Sequence, residues 1–375
     1  MPHNGRLPSR SRRSFLHMSA AASASVALRI MTEPMLAGAY DRTFPEDAVM
    51  INLNENPLGP CDAAREAIAS VTPQGGRYLV SLTEELVNTF VGLEGLQPEY
   101  VRSFPGSSDP LHFTVLAFTS PARSYVTADP GYEAGMHAAA FVGARVVKVP
   151  LTKTSAHDVK AMLSAAPDAG AIYICNPNNP TGTMTNHSDI EYALANKPKG
   201  SILLVDEAYL HYSDGVSAID LVKEDKDLIV LRTFSKIFGM AGLRCGFAIA
   251  RPDLLAKIER YSGTKYMPVT AAIAATSSLK QPRLVLERKQ INANIRQSVF
   301  EWLDRNGYSY TPSQSNFFMI ETKREAKEVV EAMARQNVFI GRTWPATPTY
   351  IRVSVGTRSE MDLFQDAFAR VMNRS

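Results

Sequence analysis

The sequence has few cysteines, no long apolar run and no internal repeat. Its 375 residues include three cysteines at wide spacing, so we predict neither a disulfide framework nor a metal site. No stretch of about 20 apolar residues is present, so we expect no transmembrane helix. A hydrophobic fraction of 45% and a charged fraction of 21% are ordinary for a globular protein, and the length predicts two domains.

Acidic residues are absent from the first 32 positions, whereas arginines cluster between positions 6 and 13. The segment SRRSFLHM leads into the weakly apolar SAAASASVAL, and Ala37-Gly38-Ala39 resembles a signal-peptide cleavage site. The paired arginines resemble a twin-arginine signal, which exports folded proteins. We therefore predict that residues 1–39 are a signal peptide and that the protein is exported to the periplasm. The alternative is an uncleaved basic tail on a cytoplasmic protein.

The net positive charge of the chain comes from the predicted signal peptide, residues 1–39, which we also call the leader. The whole sequence has 40 Lys and Arg against 37 Asp and Glu, a formal net charge of +3. Without residues 1–39 the remaining 35 basic and 36 acidic residues give a net charge of −1. The charge pattern therefore gives no reason to expect nucleic acid or a membrane surface as a partner.

From about residue 123 onward, short β-rich runs alternate with helix-like stretches. The runs are continuously apolar, as in strands that are covered on both faces. This pattern predicts an α/β fold with a three-layer, mostly parallel sheet. Beyond it, a long amphipathic helix and shorter elements predict a smaller α+β domain. We place an N-terminal segment that joins the small domain at 40–73, the large domain at 74–267 and the small domain at 268–375.

Three polar clusters follow three of the predicted strands, about thirty residues apart. CNPNNPTG follows AIYI, DEAY ends SILLV, and SK follows DLIVLRTF. In open α/β sheets, ligands bind at the carboxyl ends of the strands. We therefore expect the three clusters to meet in one crevice.

Lys236 is the candidate nucleophile. An amine with a pKa of about 10.4 forms an imine only after losing its proton, which burial or nearby positive charge promotes. Arg244 lies close in sequence and offers a bidentate fork for a phosphate, and Thr233 and Ser235 add hydroxyl groups. A lysine that condenses with an aldehyde beside a phosphate site indicates pyridoxal phosphate. The alternative is a surface lysine on a Ser/Gly loop.

Asp206 closes an apolar strand, where an unpaired carboxylate would be unfavourable. A pyridinium nitrogen would be a suitable partner, since the carboxylate keeps the ring protonated and able to accept electrons. Tyr209 and Asn179 are candidates to bind the ring hydroxyl. The alternatives are a helix cap at Asp206 and a simple turn in NPNNPTG.

The segment FPGSSDP precedes a predicted helix with Asp109 as its N-cap. The free N–H groups and the positive end of this helix would face an anion, with Gly106, Ser107 and Ser108 at the site. Tyr132 follows another strand and is placed to lie flat on a ring.

Together these motifs resemble the fold-type I pyridoxal-phosphate enzymes, and within them the class I/II aminotransferases near histidinol-phosphate aminotransferase. The resemblance runs from about residue 52 to the C-terminus. It is carried by NLNENPLGP, GRY, GSSD, NPNNPTG, VDEAY, TFSKIFGMAGLRCGF and IRVSVGT. It implies an aspartate aminotransferase-like fold and the cofactor pyridoxal 5'-phosphate. It also implies transfer of an amino group from an amino acid to a 2-oxo acid in two half-reactions, through aldimine and ketimine stages.

The resemblance also implies roles for the matching residues. Lys236, Asp206 and Tyr209 would be catalytic, with Lys236 as the covalent anchor and proton carrier. Tyr78 would reach the phosphate of a neighbouring subunit, which implies a homodimer. The remaining cofactor-binding residues would be Gly106, Ser107, Ser108, Tyr132, Asn179, Thr233, Ser235 and Arg244, and the substrate-binding residues Arg352, Arg342 and Asn56.

The chain departs from this family's pattern near Arg342, which aligns with an arginine that grips a substrate phosphate. The following segment, TWPATPTY, differs from the usual one, and export fits poorly with histidine biosynthesis. We therefore do not expect histidinol phosphate to be the substrate. Two alternatives share the scaffold: a pyridoxal-phosphate-dependent lyase or phospho-amino-acid decarboxylase, and a non-catalytic cofactor-binding protein.

Overall fold

A computed structural model describes residues 28–39, 42–263 and 266–373. The twin-arginine motif, and Tyr40, which the predicted cleavage would expose, lie outside these ranges. The strands are β1 (Val49–Ile51), β2 (Val101–Phe104), β3 (Ser124–Asp129), β4 (Val146–Pro150), β5 (Ala169–Cys175), β6 (Ile202–Asp206), β7 (Leu228–Thr233), β8 (Gly246–Ile249), β9 (Phe317–Glu321), β10 (Val338–Ile340) and β11 (Tyr350–Ser354).

The larger sheet has seven strands in the order β2-β8-β7-β6-β5-β3-β4. Strands β3 to β7 pair in parallel, whereas β8 runs antiparallel to both β7 and β2. The register sets Cys175 beside Asp206 at the ends of β5 and β6. The mostly parallel α/β sheet predicted from the sequence is confirmed. Strand β8 lies in the predicted β-rich run CGFAIA, but its antiparallel direction was not predicted, and neither was the short edge strand β2.

Helices cover both faces of this sheet. The described helices are α1 (Glu33–Leu36), α2 (Asp62–Val71), α3 (Val80–Glu94), α4 (Ser108–Phe118), α5 (Ala134–Phe141), α6 (Val159–Ser164), α7 (His187–Asn196), α8 (Ile219–Lys223), α9 (Pro252–Glu259), α10 (Val269–Leu279), α11 (Leu284–Arg305), α12 (Ala326–Ala334) and α13 (Arg358–Met372). Helices α2, α3, α6, α7 and α10 bury apolar side chains on one face, and α4, α5 and α9 do so on the other. Two apolar layers therefore enclose the strands, which explains their continuous apolar sequences.

A third apolar cluster lies among α11, α12, α13 and the four short strands outside the larger sheet. Strand β9 pairs antiparallel with β11, and β1 pairs in parallel with β10. The segment before residue 52 thus joins the C-terminal elements through β1. Helix α13 begins with a capping box between Thr357 and Glu360, which satisfies the first N–H groups of the helix. The domain boundaries at residues 73 and 267 stay predictions.

Residues 28–39 pack against the body of the molecule. Leu28, Ile30, Met31 and Leu36 lie on the apolar cluster around α4 and α5. Glu33 opens α1 and is buried, with 8% of its surface exposed. Within the described ranges, no helix is both long enough and apolar enough to cross a bilayer.

Candidate active site

The polar clusters at the ends of β5, β6 and β7 meet around one cavity of about 300 Å³. The sequence pattern therefore located the crevice, because the carboxyl ends of parallel strands share one edge of the sheet. The predicted site residues that line it are Ser107, Ser108, Tyr132, Asn179, Asp206, Tyr209, Thr233, Ser235, Lys236 and Arg244.

Lys236 follows β7 and places its amine in this cavity. Its Nζ donates to the Leu53 carbonyl at 3.3 Å and lies 5.4 Å from the centre of the Tyr209 ring. Burial, assisted by Arg352 and Arg244, lowers the pKa of Lys236 to about 8, although Glu33 opposes the shift. About a tenth of the amine is therefore neutral at pH 7, far more than for an exposed lysine, and the neutral amine is the form that acts as a nucleophile.

Asp206 ends β6 on the floor of the cavity. One carboxylate oxygen accepts from the Tyr173 hydroxyl at 3.0 Å, and the other accepts from the Ala208 N–H at 3.1 Å. Burial raises the pKa of Asp206 to about 6, because nearby hydrogen bonds and Lys236 compensate only partly. A buried carboxylate in this state favours a cationic partner, such as a protonated ring nitrogen.

The Tyr209 hydroxyl accepts hydrogen bonds from two amides. The Nδ2 atom of Asn54 lies at 3.2 Å and that of Asn179 at 3.5 Å. Asn179 also accepts from Arg352 through its Oδ1 atom, at 2.9 Å. This network fixes the phenol and the Asn179 amide side by side on the cavity wall.

The beginning of α4 meets hydroxyl groups and an arginine at the cavity, and we call Ser107, Ser108, Thr233, Ser235 and Arg244 the anion pole. The Thr233 and Ser235 hydroxyls are 2.9 Å apart, and Arg244 Nη1 lies 3.4 Å from Ser235 Oγ. Gly106 has a φ of +93°, and a Cβ built on it would lie 2.8 Å from Arg244 Cζ. The missing side chain at Gly106 therefore allows the guanidinium to reach the helix N-terminus, where free N–H groups attract anions.

Helix α4 begins two residues earlier than the sequence suggested. Ser107 is its N-cap and Ser108 its first residue, so Asp109 lies inside the first turn. The prediction of Asp109 as N-cap was wrong. The shift leaves Ser107 and Ser108 on the cavity wall.

These residues fit pyridoxal 5'-phosphate by their chemistry. A buried carboxylate, a partly neutral amine, a phenol with an amide beside it and an anion pole surround one cavity. Each would meet a different part of the cofactor: Asp206 the ring nitrogen, Lys236 the aldehyde, Tyr209 and Asn179 the ring hydroxyl, and Arg244 with its neighbours the phosphate.

Arg352 lies on β11 and is fully buried, with 0% of its surface exposed. Its Nη1 donates to Asn179, and its Nη2 donates to the Asn52 carbonyl at 2.8 Å and to Glu33 at 2.7 Å. The ring of Trp344 lies 5.1 Å from the Arg352 guanidinium carbon. A guanidinium held in this manner presents a fixed fork to a carboxylate.

One short stretch connects these groups. The Asn52 carbonyl accepts from Arg352, the Leu53 carbonyl accepts from Lys236, and the Asn54 side chain donates to Tyr209. Asn54 has a φ of +56°, which turns the backbone between these contacts, and its N–H donates to Ser354 Oγ. We call residues 52–54 the connecting stretch.

Arg342 forms a bidentate pair with Glu133, which the sequence did not predict. Its Nη1 and Nη2 donate to the two carboxylate oxygens at 2.7 and 2.6 Å. Trp344 packs 4.2 Å from the Arg342 guanidinium carbon and donates its Nε1–H to the Gly131 carbonyl. The third guanidinium nitrogen of Arg342, Nε, has no hydrogen-bond partner and lies 3.5 Å from Glu33.

Five predicted site residues are not among those that line the cavity: Gly106, Arg342 and Arg352, which contact its lining residues, and Asn56 and Tyr78. Asn56 donates its amide to the Ile237 carbonyl at 3.0 Å, and its predicted contact with substrate stays a prediction. Tyr78 is 75% exposed and packs against Tyr266, with ring centres 5.2 Å apart. It lies in a separate shallow hollow of the surface, and its predicted role across a subunit interface stays a prediction.

Comparisons with known proteins agree with this site. Residues 47–368 match the family described as aminotransferase class I and II, so the chain belongs to that family. An aromatic amino acid aminotransferase of Cutibacterium acnes is 32% identical over 87% of this chain and 93% of its own. A histidinol-phosphate aminotransferase of Moorella thermoacetica is 28% identical over 87% and 86% of the two chains.

A solved structure extends the comparison to the cofactor. The histidinol-phosphate aminotransferase of Sinorhizobium meliloti, in complex with pyridoxal-5'-phosphate, is 25% identical and superposes with a TM-score of 0.82. The match covers 95% of this chain and 99% of that one. The protein is thus an aminotransferase that depends on pyridoxal 5'-phosphate, as the sequence predicted.

The cavity residues explain how the chain supports transamination. When bound, the cofactor supplies a ring that accepts electrons from the substrate Cα. Asp206 would keep the ring nitrogen protonated, Arg352 would orient the substrate carboxylate, and the Lys236 amine would carry a proton to and from the reacting carbon. The lowered pKa of Lys236 suits this last role, because the amine must both accept and release the proton.

Proposed function

We propose that this aminotransferase acts on amino donors with one carboxylate and no second anionic group, with aromatic amino acids as the foremost class. The observation that carries the proposal is the Glu133–Arg342 pair. Both terminal nitrogens of Arg342 are taken by one carboxylate, at 2.7 and 2.6 Å. A substrate phosphate or side-chain carboxylate would have to displace Glu133 before it could bind this arginine.

The surroundings of the pair support a neutral side chain. Leu111 and Tyr132 line the cavity, and Trp344 packs on both Arg342 and Arg352. Apolar and aromatic walls favour apolar substrate groups, which lose little by leaving water. The aromatic amino acid aminotransferase of Cutibacterium acnes, 32% identical, agrees with this class.

The test is a spectroscopic half-reaction with one donor at a time. The holoenzyme is mixed with phenylalanine, glutamate or histidinol phosphate, and the conversion of the cofactor to its amino form is followed. We expect phenylalanine to give the highest second-order rate constant, at least tenfold above the other two. Faster conversion with histidinol phosphate or glutamate would refute the proposal. Lys236→Ala should show no conversion with any donor and serves as the blank.

We also propose that the working unit is a homodimer in which Tyr78 serves the neighbouring site. The Tyr78 side chain is exposed and packs against Tyr266. This exposed aromatic pair supports the proposal that a second copy of the chain covers this surface. Sedimentation of the purified protein tests the dimer. Mixing inactive Lys236→Ala with impaired Tyr78→Ala tests the shared site, because a mixed dimer would contain one intact site. Absence of any regained activity in a proven mixed dimer would oppose the role of Tyr78.

For the location, we propose export through the twin-arginine pathway with cleavage after Ala39. The support is the sequence pattern of the first 39 residues. Sequencing the N-terminus of the protein from fractionated cells tests it. A periplasmic form that begins at Tyr40 is expected, and a cytoplasmic form that retains residues 1–39 would contradict it. Replacing Arg12 and Arg13 by lysine should retain the protein in the cytoplasm.

A further inference from the structure

We infer that the N-terminal segment 30–36 binds in the active site as an internal substrate mimic, in which the Glu33 carboxylate occupies the place of the substrate carboxylate. This inference rests on the proposed role of Arg352 in binding that carboxylate. The segment would have to leave its place before a donor could bind.

Glu33 meets three groups of the site. Its Oε1 accepts from Arg352 Nη2 at 2.7 Å and lies 3.5 Å from Arg342 Nε. Its Oε2 lies 3.5 Å from the Asn179 amide. Burial disfavours the charged carboxylate, but Arg352, Arg342 and Lys236 overcome this effect and lower the pKa of Glu33 to about 2. Glu33 is therefore ionised in the site, as a substrate carboxylate would be.

The rest of the segment is anchored independently of this ion pair. The backbone N–H of Met31 donates to His112 Nε2 at 3.0 Å, while His112 Nδ1 bonds to the Ser108 carbonyl at 2.8 Å. The His112 ring accepts at Nε2 because it is neutral, and burial lowers its pKa to about 4. Ile30 and Leu36 add apolar contacts to the cluster around α4 and α5.

Glu33 and a substrate carboxylate cannot both occupy Arg352. Arg352 is fully buried, its Nη1 is directed to Asn179, and its Nη2 is shared between Asn52 and Glu33. The cavity of about 300 Å³ remains beside Glu33 and is lined by Asp206, Lys236 and the anion pole. The segment therefore competes with the substrate and leaves room for the cofactor.

The predicted cleavage site after Ala39 lies C-terminal to Glu33. Cleavage there would remove the mimic together with the leader. The unprocessed holoenzyme would thus hold cofactor while its carboxylate site stays filled, and processing would open that site.

The experiment compares the full-length holoenzyme with its Glu33→Gln and Ile30→Asp variants, and with Glu46→Gln as the matched control on an exposed nearby position. The probe is 3-phenylpropionate, a carboxylate with no amino group to transfer. Calorimetry gives its dissociation constant, and hydrogen exchange of residues 30–37 reports on the segment.

We expect Glu33→Gln to bind the probe roughly 10- to 100-fold more tightly than the unchanged protein, because one charge-assisted hydrogen bond to Arg352 is lost. Ile30→Asp should act in the same direction, and Glu46→Gln should bind like the unchanged protein. In the unchanged protein, the probe should speed hydrogen exchange of residues 30–37, since the segment is displaced.

Three results would overturn the inference. Equal probe affinity in the unchanged protein and both site variants would show that there is no competition. Slower exchange of residues 30–37 with probe would show a cover that closes over the substrate. Absence of probe binding in Glu33→Gln would show that the vacated Arg352 accepts no carboxylate. Failure of the proposed donor class would be visible separately, in the ratio of half-reaction rates between donors measured on the unchanged protein.

Discussion

Replacing Glu133 by glutamine removes the carboxylate that holds both terminal nitrogens of Arg342. Arg342 has 11% of its side chain exposed and packs on Trp344, so without Glu133 its guanidinium could bind a new anion. The substitution should therefore admit donors with a second negative charge, while donors with one carboxylate keep their contact with Arg352.

The size of the effect follows from the two hydrogen bonds. A hydrogen bond to a charged group contributes about 1.5–3 kcal/mol, and tenfold in a rate constant corresponds to about 1.4 kcal/mol. The incoming anion would accept two hydrogen bonds from Arg342, but it must first lose its bound water, which costs free energy. We therefore take the value of one hydrogen bond as the net gain. The ratio of kcat/KM for glutamate over glutamine should then rise roughly 10- to 100-fold.

The assay uses glutamate and glutamine because they differ by one charge and little in shape. The double variant Glu133→Gln with Arg342→Met is the control, since it lacks the arginine that the anion would bind. The gain should vanish in that double variant. An unchanged ratio in Glu133→Gln, or an equal gain in the double variant, would show that Glu133 does not set selectivity through Arg342.

Three further predictions concern the cofactor. Asp206→Asn should keep the Lys236 attachment but slow the half-reaction roughly 100-fold or more, because the ring nitrogen loses its charged partner; single-turnover absorbance measures this. Attachment of the cofactor to apoprotein should become faster with pH and level off above about 8, since burial lowers the pKa of Lys236 to about 8; a midpoint near 10.5 would contradict the burial effect. Gly106→Ala should weaken cofactor binding at least tenfold in equilibrium titration, because its Cβ would meet Arg244 at a φ of +93°. Gly92→Ala, with open space around its Cβ, should bind normally.

The strands and the cavity were predictable because their signals are local. A continuous apolar run marks a strand covered on both faces, and a polar residue directly after it lies at the carboxyl edge of the sheet. Asp206 ends the apolar strand β6 and Lys236 follows the apolar strand β7, so both residues were identifiable from their own segments. The edge strand β2 has four residues and two half-buried positions, so it gives no comparable pattern.

The contacts on which the proposed selectivity depends were not predictable, since their partners are far apart along the chain. Glu133 and Arg342 are separated by 209 positions, and Glu33 and Arg352 by 319. No spacing rule connects such pairs, and Glu33 lies in a region whose composition indicates a leader. The acceptor of the Asn56 amide was unpredictable for a related reason, since the Ile237 carbonyl lies 181 positions away along the chain.

The connecting stretch has a consequence for attempts to redesign the enzyme. Three successive residues contact the carboxylate arginine, the reactive amine and the ring-hydroxyl tyrosine. An insertion or deletion between β1 and residue 56 would therefore displace all three partners at once, and no single second substitution would restore them. Libraries that alter donor preference should leave this backbone intact and vary the side chains around Trp344 instead.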